Sequence, residues 1–329
     1  LGVKVIENSN ISPSGNVGTR IITNYSSVTY QNNDTTKDIT AYTGEQSRQT
    51  IKTDSFDKRG NALHQTVLSE GYVDGVWKFS GMRDITNHSF DIHDQVNTST
   101  VKSYSSATIG SGTFLGLEEN TFVRYDRFGN VEEQNTKSYT NEDKSDNPQY
   151  REVLNDFNNA DGTDNPIARK RGNARLSTVS RWTDPLKPAG TQIGQTVTET
   201  TLFDTQGRAL NQTQKTFVYD AGALKQSARS EIVYSDYDNR GDAGTQKVTS
   251  FRIDGANETL IDYKEFTNRS FDANHNVQNQ MVLTYSDDTA GALLLEVQES
   301  RSLGFNAEGI ALKQILITYS DLAKTKQIG

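Results

Sequence analysis

The sequence predicts an all-β fold of tandem β-hairpins of about 34 residues, which form one continuous antiparallel meander coiled into a tube or spiral sheet. Three observations predict it. A repeat runs along the chain, helix signals are sparse, and the segments between turn signals, such as 213–219 and 245–253, are rich in Thr, Val, Ile, Tyr and Phe. Because a lone hairpin is only marginally stable in water, neighbouring repeat copies must pair with one another.

Each repeat copy is named here by an anchor residue, usually aromatic, that precedes a turn. Nine copies are anchored near residues 11, 56, 90, 125, 168, 203, 237, 271 and 305, and most intervals are 34 or 35 residues. Insertions are expected near 140–166 and 184–195. The whole chain, 1–329, is therefore interpreted as a single repeat array.

The residues after the anchor predict the first turn of each hairpin. In the pattern Asp-x-x-Gly, the Asp side chain bonds its own backbone two residues on, and Gly takes a positive φ. His275 occupies the Gly position of copy 271, where His tolerates a positive φ. The predicted turn residues are Asp57 and Gly60, Asp126 and Gly129, Asp204 and Gly207, and Asp238 and Gly241.

Further columns continue this register. Six residues after the anchor the residue is small and apolar, after nine it is Gln in six of nine copies, and after eleven it is mostly aliphatic. Positions six and fourteen share strand parity, whereas nine and eleven have the other parity, so either both faces of the sheet are partly covered or a bulge shifts the phase. The residues at position fourteen are aromatic except Glu70: Tyr25, Tyr104, Tyr139, Trp182, Phe217, Phe251, Tyr285 and Tyr319.

We interpret this aromatic column as cross-strand support for the sheet. Stacking of the rings on glycans is the alternative.

The motif in copy 125 resembles a known class of repeat. Residues 125–131, YDRFGNV, and the related segments at 56 and 203 resemble the tyrosine-aspartate (YD) repeats of RHS-type proteins. In degenerate form and with a longer period, the resemblance covers about residues 11–319. It implies an extracellular or cell-surface array of strand-turn-strand units, of the kind that spirals into hollow shells or tubes in bacterial toxins, surface proteins and teneurin-like adhesion proteins.

Composition excludes several classes of function. The net charge of −8 disfavours nucleic acid as a partner. No run of 18 apolar residues predicts a membrane span. The chain has no cysteine, which excludes disulfides and thiolate metal sites. Since the repeat runs to both ends and the first residue is not Met, we expect an internal piece of a longer protein.

One segment has the oxygen-rich composition that calcium prefers. Within 155–164, the weak candidate ligands are Asp156, Asn158, Asp161 and Asp164, but Ala160 interrupts the liganding alternation, and a flexible insertion is the favoured interpretation. Of the histidines, the pair His88 and His93 is better explained as part of a polar turn than as metal ligands. No catalytic motif and no cofactor fingerprint is present, so neither enzymatic activity nor a cofactor is expected.

Every regularity in the sequence serves folding. The sequence therefore predicts a non-enzymatic structural segment of a large extracellular or surface protein, with assembly into a fibre or tube. One alternative is a YD-type shell segment that encloses a toxin or other cargo. The other is an adhesin that binds glycan or protein through its insertions. Uncapped strands such as 316–319 predict edge pairing with further repeats of the same chain or with identical subunits.

Overall fold

The computed structural model describes residues 3–30, 39–272, 274–289, 291–305 and 309–328. Strands account for 68% of the structure and form one open antiparallel sheet, so the predicted all-β class is confirmed. The 18 strands are β1 (Val3–Ile11), β2 (Val17–Tyr30), β3 (Ile39–Phe56), β4 (Ala62–Val73), β5 (Val76–Phe90), β6 (Val96–Tyr104), β7 (Phe114–Tyr125), β8 (Val131–Tyr139), β9 (Gln149–Asp156), β10 (Leu176–Trp182), β11 (Gln192–Phe203), β12 (Ala209–Asp220), β13 (Ala223–Tyr237), β14 (Ala243–Asp254), β15 (Asn257–Phe271), β16 (Val277–Tyr285), β17 (Leu294–Phe305) and β18 (Ala311–Tyr319).

The strands follow one another in the sheet in sequence order. Each pairs antiparallel with the next, from β1 with β2 to β17 with β18. Two strands belong to each of the nine predicted repeat copies, and the predicted meander is confirmed. The turns inside the copies lie along one edge, called here the Asp-turn edge. The connections between copies lie along the other, the distal edge.

The sheet has two chemically different faces. They explain why positions six and fourteen of the repeat differ in strand parity from positions nine and eleven. In β8, Tyr139 pairs with Leu117 and shares its face with Lys137, whereas Gln134 and Thr136 pair with residues on the opposite face without an intervening bulge. Both faces are therefore partly covered. They are called here the aromatic face and the glutamine face, after the two columns.

Side-chain hydrogen bonds recur on the glutamine face. Three glutamines of the column at position nine each donate from Nε2 to the side-chain hydroxyl of the residue that lies three positions before the anchor. Thr136, only 2% exposed, donates from Oγ1 to Asn120 Oδ1 at 2.9 Å. The glutamine pairs are Gln65 with Thr53 at 3.0 Å, Gln212 with Thr200 at 3.0 Å and Gln314 with Ser302 at 3.4 Å. Such bonds satisfy buried polar groups that would otherwise destabilise the fold.

Copy 168 departs from the other copies. Residues 149–156 within the expected insertion 140–166 form β9, and residues 192–195 of the expected insertion 184–195 begin β11. The anchor Ala168 is fully buried in a short helix, α1 (Pro166–Arg171), instead of ending a strand. Asn165 caps α1 by accepting a hydrogen bond from Ala168 N, and Gly172 ends it at φ 71°.

The sheet coils until its last strands reach its first ones. β17 and β18 contact β4, and the turn between β15 and β16 contacts β2 and β3. No backbone ladder joins the two ends among the residues that the structure describes, so the sheet stays open. None of the helices in the described ranges is long and apolar enough to cross a membrane.

Candidate functional site

The turns on the Asp-turn edge share one hydrogen-bond pattern. Asp126 Oδ1 accepts from the backbone N–H groups of Phe128 at 2.8 Å and Asn130 at 2.9 Å, and Gly129 takes φ +85°. The turns that begin at Asp57, Asp204 and Asp238 repeat both Oδ1 bonds. Gly60, Gly207 and Gly241 have φ of +93°, +75° and +94°, and His275 has φ +67°. Each carboxylate is thus occupied by its own turn.

Neighbouring turns are also joined to one another. Arg59 Nη1 donates to the carbonyl of Asp91 at 2.8 Å, and Arg240 Nη1 donates to the carbonyl of Asp272 at 2.8 Å. The anchor Tyr125 donates its hydroxyl to the carbonyl of Val96 in the preceding copy at 2.6 Å. The edge is therefore a continuous chain of turn-to-turn contacts.

These contacts set the acidity of the turn carboxylates. Burial alone would raise the pKa of Asp126, but hydrogen bonds from Asn130, from the Phe128 backbone and from Arg169 outweigh it and hold the pKa below its usual range. The pKa values of Asp204 and Asp238 are lowered in the same way, by bonds from their own turns against the effect of burial. The aspartates consequently stay ionised as hydrogen-bond acceptors inside the edge.

The oxygen-rich segment suggested for calcium surrounds a guanidinium group. Arg169 of α1 lies 3.0 Å from Asp126 Oδ2, 3.0 Å from Glu132 Oε1 and 2.7 Å from Asp164 Oδ1. Its Nη2 donates to Asn158 Oδ1 at 2.9 Å. Burial lowers the pKa of Arg169, but the hydrogen bonds that it donates to Glu132, Asp126 and Asp164 outweigh that effect and raise the pKa. Arg169 therefore supplies the positive charge within this oxygen-rich segment.

The other two candidate ligands have partners of their own. Asp156 accepts from Arg175 Nη2 at 2.7 Å, and Asp161 accepts from Thr163 Oγ1 at 2.6 Å. In the described part of the chain, no group of three or more His, Asp or Glu side chains could hold a metal ion. The four candidate oxygens thus serve hydrogen bonds within copy 168.

The aromatic column lies on one face, near the distal edge. Its members stand on alternate strands, and within the described segments three of its eight rings, those of Tyr25, Tyr104 and Tyr285, pair with a ring on an adjacent strand. The ring centroids of Tyr25 and Tyr42 are 5.3 Å apart, and those of Tyr104 and Phe114 are 6.0 Å apart. Trp182 and Tyr104 are buried, whereas Phe217 and Phe251 are partly exposed.

A lysine motif covers part of this column and escaped the sequence analysis. Three loops of the distal edge have the pattern aromatic-[Ser/Thr]-[Asn/Asp]-x-x-Lys, which places Lys144, Lys187 and Lys324 five residues after the aromatic residue. These lysines have φ of +58°, +54° and +57°. Their N–H groups donate to the carbonyls of Asn141, Asp184 and Asp321. The fixed spacing is a signal that a search for spaced cations could have found.

Each of these lysines reaches back to a glutamate of the preceding strand. Lys144 Nζ lies 2.5 Å from Glu119 Oε1, and Lys187 and Lys324 pair with Glu152 and Glu299. Lys144 and Lys187 also lie over the rings of Tyr139 and Trp182, at 5.9 Å and 5.1 Å from the ring centroids. The hydrogen bond from Lys144 lowers the pKa of Glu119. The motif clamps the loop onto the aromatic face.

The two ends of the sheet meet in a long-range contact. Lys313 Nζ of β18 lies 3.1 Å from Asp74 Oδ2, at the distal end of β4. Gly304 and Gly71 permit the close approach, because a Cβ on Gly304 would lie 2.5 Å from Val73 Cγ2, and one on Gly71 would lie 3.3 Å from the Gly304 Cα. The Asp-turn edge of the last copies thereby packs on the glutamine face of the first copies.

A polar row extends this contact toward β2. Asn274, in the turn between β15 and β16, donates from Nδ2 to Ser47 Oγ at 2.9 Å. Its Oδ1 accepts from Asn24 Nδ2 at 3.2 Å. Asn24 and Ser47 are buried, as are Val73, Asp272 and Phe305. The overlap of the two parts of the sheet therefore buries residues of both parts.

Comparison with protein-family models and with curated proteins gives no match for this sequence.

Proposed function

We propose that the chain is a non-enzymatic structural segment of a large extracellular or cell-surface protein, assembled as a coiled β-sheet array. The observation that carries the proposal is the contact between the Asp-turn edge of the last copies and the glutamine face of the first ones. It joins two different surfaces of one array. A contact between unlike surfaces that does not close can be repeated indefinitely and builds a helical object. Further copies would continue the coil by the same contact.

The repeated side chains support a structural role. The turn aspartates, the column glutamines and the loop lysines join the two strands of a copy, and the Arg59 and Arg240 guanidinium groups and the Tyr125 hydroxyl bond to the neighbouring copy. In solenoid proteins stability comes from such contacts between adjacent repeats. The repeated side chains therefore serve the hairpins and the contacts between them.

The sheet also offers a free edge for growth. Beyond the bridge from Tyr319 to Gln327 and the bond from Ile328 N to Thr318 O at 2.8 Å, no strand within the described ranges pairs with the outer edge of β18. Ile315 and Leu316 of this strand are 43% and 50% exposed. An exposed apolar edge strand is a template for another strand. The proposed partners are further repeats or identical chains.

A second candidate is a YD-type shell segment that encloses a toxin or other cargo. The coiling of the sheet and the resemblance of residues 125–131 to YD repeats favour it. The two candidates share the coiled array and differ in whether its interior holds a second molecule.

Edge pairing can be tested by sizing and electron microscopy over a wide range of concentration. The purified chain should form elongated particles, and Ile315→Lys combined with Leu316→Lys should abolish them, because charges on an edge strand oppose strand addition. Val218→Lys is the matched control, since Val218 is 45% exposed but lies on the interior strand β12. A compact monomer at every concentration would contradict assembly by identical chains.

A further inference from the structure

An open cavity of about 400 Å³ lies on the aromatic face above β5–β9. Its rim includes Pro185 and Lys187, from the distal loop between β10 and β11. The volume falls in the range of roughly 300–1,000 Å³ that small-molecule sites occupy. The lysine motif thus positions a loop so that it shapes a cavity as well as covering a ring.

The floor of the cavity is a row of directly paired residues. Thr100 pairs with Glu119, Glu119 with Lys137, and Lys137 with Tyr150, on consecutive strands from β6 to β9. Beside this row, Thr121 pairs with Asn135. The row presents hydroxyl and amide groups next to the ring of Tyr150, a combination that suits a hydroxyl-rich ligand with an apolar ring face.

The charged residues that the structure describes on the cavity wall are three cations, Lys137, Arg151 and Lys187, and one anion, Glu119, which leaves a positive excess. Glu119 is paired with Lys144, and Glu152 beside the rim is paired with Lys187. Lys137 is exposed and makes no salt bridge with any residue that the structure describes. His88 lies on the wall, with Nε2 2.7 Å from Thr100 Oγ1. In a chain of net charge −8, this local excess favours an anion.

We propose that this cavity binds an acidic sugar, a hexuronate unit of a polysaccharide. The Lys137 ammonium pairs with the sugar carboxylate, the threonine hydroxyls and Asn135 bond the sugar hydroxyls, and the Tyr150 ring stacks on the sugar face. Inorganic phosphate could pair with the same cations, but it has no ring face for Tyr150 and no sugar hydroxyls for the threonines and Asn135, so it would make fewer of these contacts. The site does not depend on the proposed assembly.

The repeat supplies a matched control for Lys137. Lys215 stands at the same position of copy 203, twelve residues after the anchor, but is not on the wall of this cavity. Lys137→Gln and Lys215→Gln therefore remove the same charge from equivalent strands. Only the first should affect binding.

Isothermal titration and NMR shift mapping with galacturonate and digalacturonate would test the proposal, with galactose and inorganic phosphate as comparison probes. The acidic sugars should bind, galactose should bind at least tenfold more weakly, and phosphate should not bind. Lys137→Gln and Tyr150→Ala should each lower the affinity at least tenfold, while Lys215→Gln should leave it unchanged. Circular dichroism confirms that each variant is folded.

Three results would overturn the proposal: no binding of either acidic sugar at millimolar concentration, equal binding of galactose, or equal loss in Lys137→Gln and Lys215→Gln. Preferential binding of phosphate would likewise replace the sugar with a different anion. These outcomes are independent of whether the chain forms elongated particles.

Discussion

Two kinds of repeat copy occur in one sheet, and they cover the same aromatic column differently. After copies 90, 125, 168 and 271, the distal connections are long loops, and the strands before them, β6, β8, β10 and β16, have seven to nine residues. After copies 56, 203 and 237, two-residue hairpins join strands of 12 residues or more. The register up to position fourteen is shared, so the residues beyond it decide where the strand ends.

The side chains that cover the aromatic ring at position fourteen also differ between the two kinds of copy. In copies 125 and 168, Lys144 and Lys187 reach the aromatic ring from the loop. In copy 237 the ring of Phe251 is covered by Arg229 of the adjacent strand, at 4.2 Å from the ring centroid. One repeat can therefore keep its fold while the cation that shields its aromatic residue comes from a loop in one copy and from the adjacent strand in another.

Copy 56 has no aromatic residue at position fourteen, but it has aromatic rings nearby. Glu70 stands at position fourteen and pairs with Arg48 at 2.6 Å, and the Arg48 guanidinium lies 4.6 Å from the ring centroid of Trp77 on the next strand. Tyr72 packs against the same ring at 5.0 Å. The cation and the aromatic ring persist although the column is broken.

The largest expected loss of stability follows from removing the aromatic ring of a copy whose ring is covered by a loop. Trp182→Ala should cost about 3–5 kcal/mol, the usual loss for a buried aromatic side chain. Phe217→Ala, at the same position of a hairpin copy, should cost less because Phe217 is partly exposed. Urea denaturation measures both. Equal losses would contradict the assigned difference in cover.

Acid should affect the Asp-turn edge more than the distal edge. The lowered pKa of Asp126 means that its stabilisation is complete above its usual value of 3.8 and is lost as pH falls through the lower pKa of the folded state. At neutral pH, Asp126→Asn should cost about 1.5–3 kcal/mol, since it removes a charged acceptor that Arg169 uses.

The pH control is Asp220→Asn on the distal edge. Asp220 is exposed, and its pKa is lowered by a hydrogen bond from Lys225, so the variant should change the stability curve little. Denaturation measured from pH 2 to pH 7 compares the two variants. A larger effect from Asp220→Asn would reverse the assignment.

Glycine substitutions at the two edges should separate the cost of backbone strain at positive φ from the cost of steric crowding around the added side chain. Gly129→Val on the Asp-turn edge should cost about 1–3 kcal/mol, because φ is +85° and a Cβ would lie 3.1 Å from Gln95 Nε2. Gly222→Val at a distal hairpin has the same backbone strain at φ +88° but open space around the Cβ, and should cost less. Denaturation midpoints compare the stability of the two variants. An unchanged midpoint for Gly129→Val would contradict the assigned turn conformation.

The smallest expected effect concerns the lysine motif. Lys187→Met should cost about 1 kcal/mol, since it removes one partly exposed ion pair and one cation–π contact. The loss should shrink at high salt, because salt screens the pair with Glu152. Lys215→Met serves as a control outside the motif. Identical salt dependence in the two variants would count against a clamp.

Local rules were enough to predict the meander and its Asp-turns. The repeat spacing and the alternation of β-prone residues carry this information within one copy. The lysine motif is also local, but it occurs in only three loops and so did not form a column. Arg169 was missed because α1 replaces the expected turn of copy 168 and brings the side chain to Asp126, 43 residues away.

The contact between the sheet ends could not be predicted in the same way. Lys313 and Asp74 are 239 residues apart, and their meeting depends on twist and coiling accumulated over many strands. No local sequence pattern predicts this accumulated twist and coiling. The pair of glycines at 71 and 304 marks the approach only after the structure places them together.

A distance between these two ends tests the coil most directly. The chain has no cysteine, so Asp74→Cys and Lys313→Cys would accept spin labels at only these two positions. Pulsed electron spin resonance should give a short distance, because the native side chains are 3.1 Å apart. A flat sheet would separate them by about 67 Å, at about 4.8 Å for each of the fourteen strand spacings from β4 to β18. A distance near that value would contradict the coiled array.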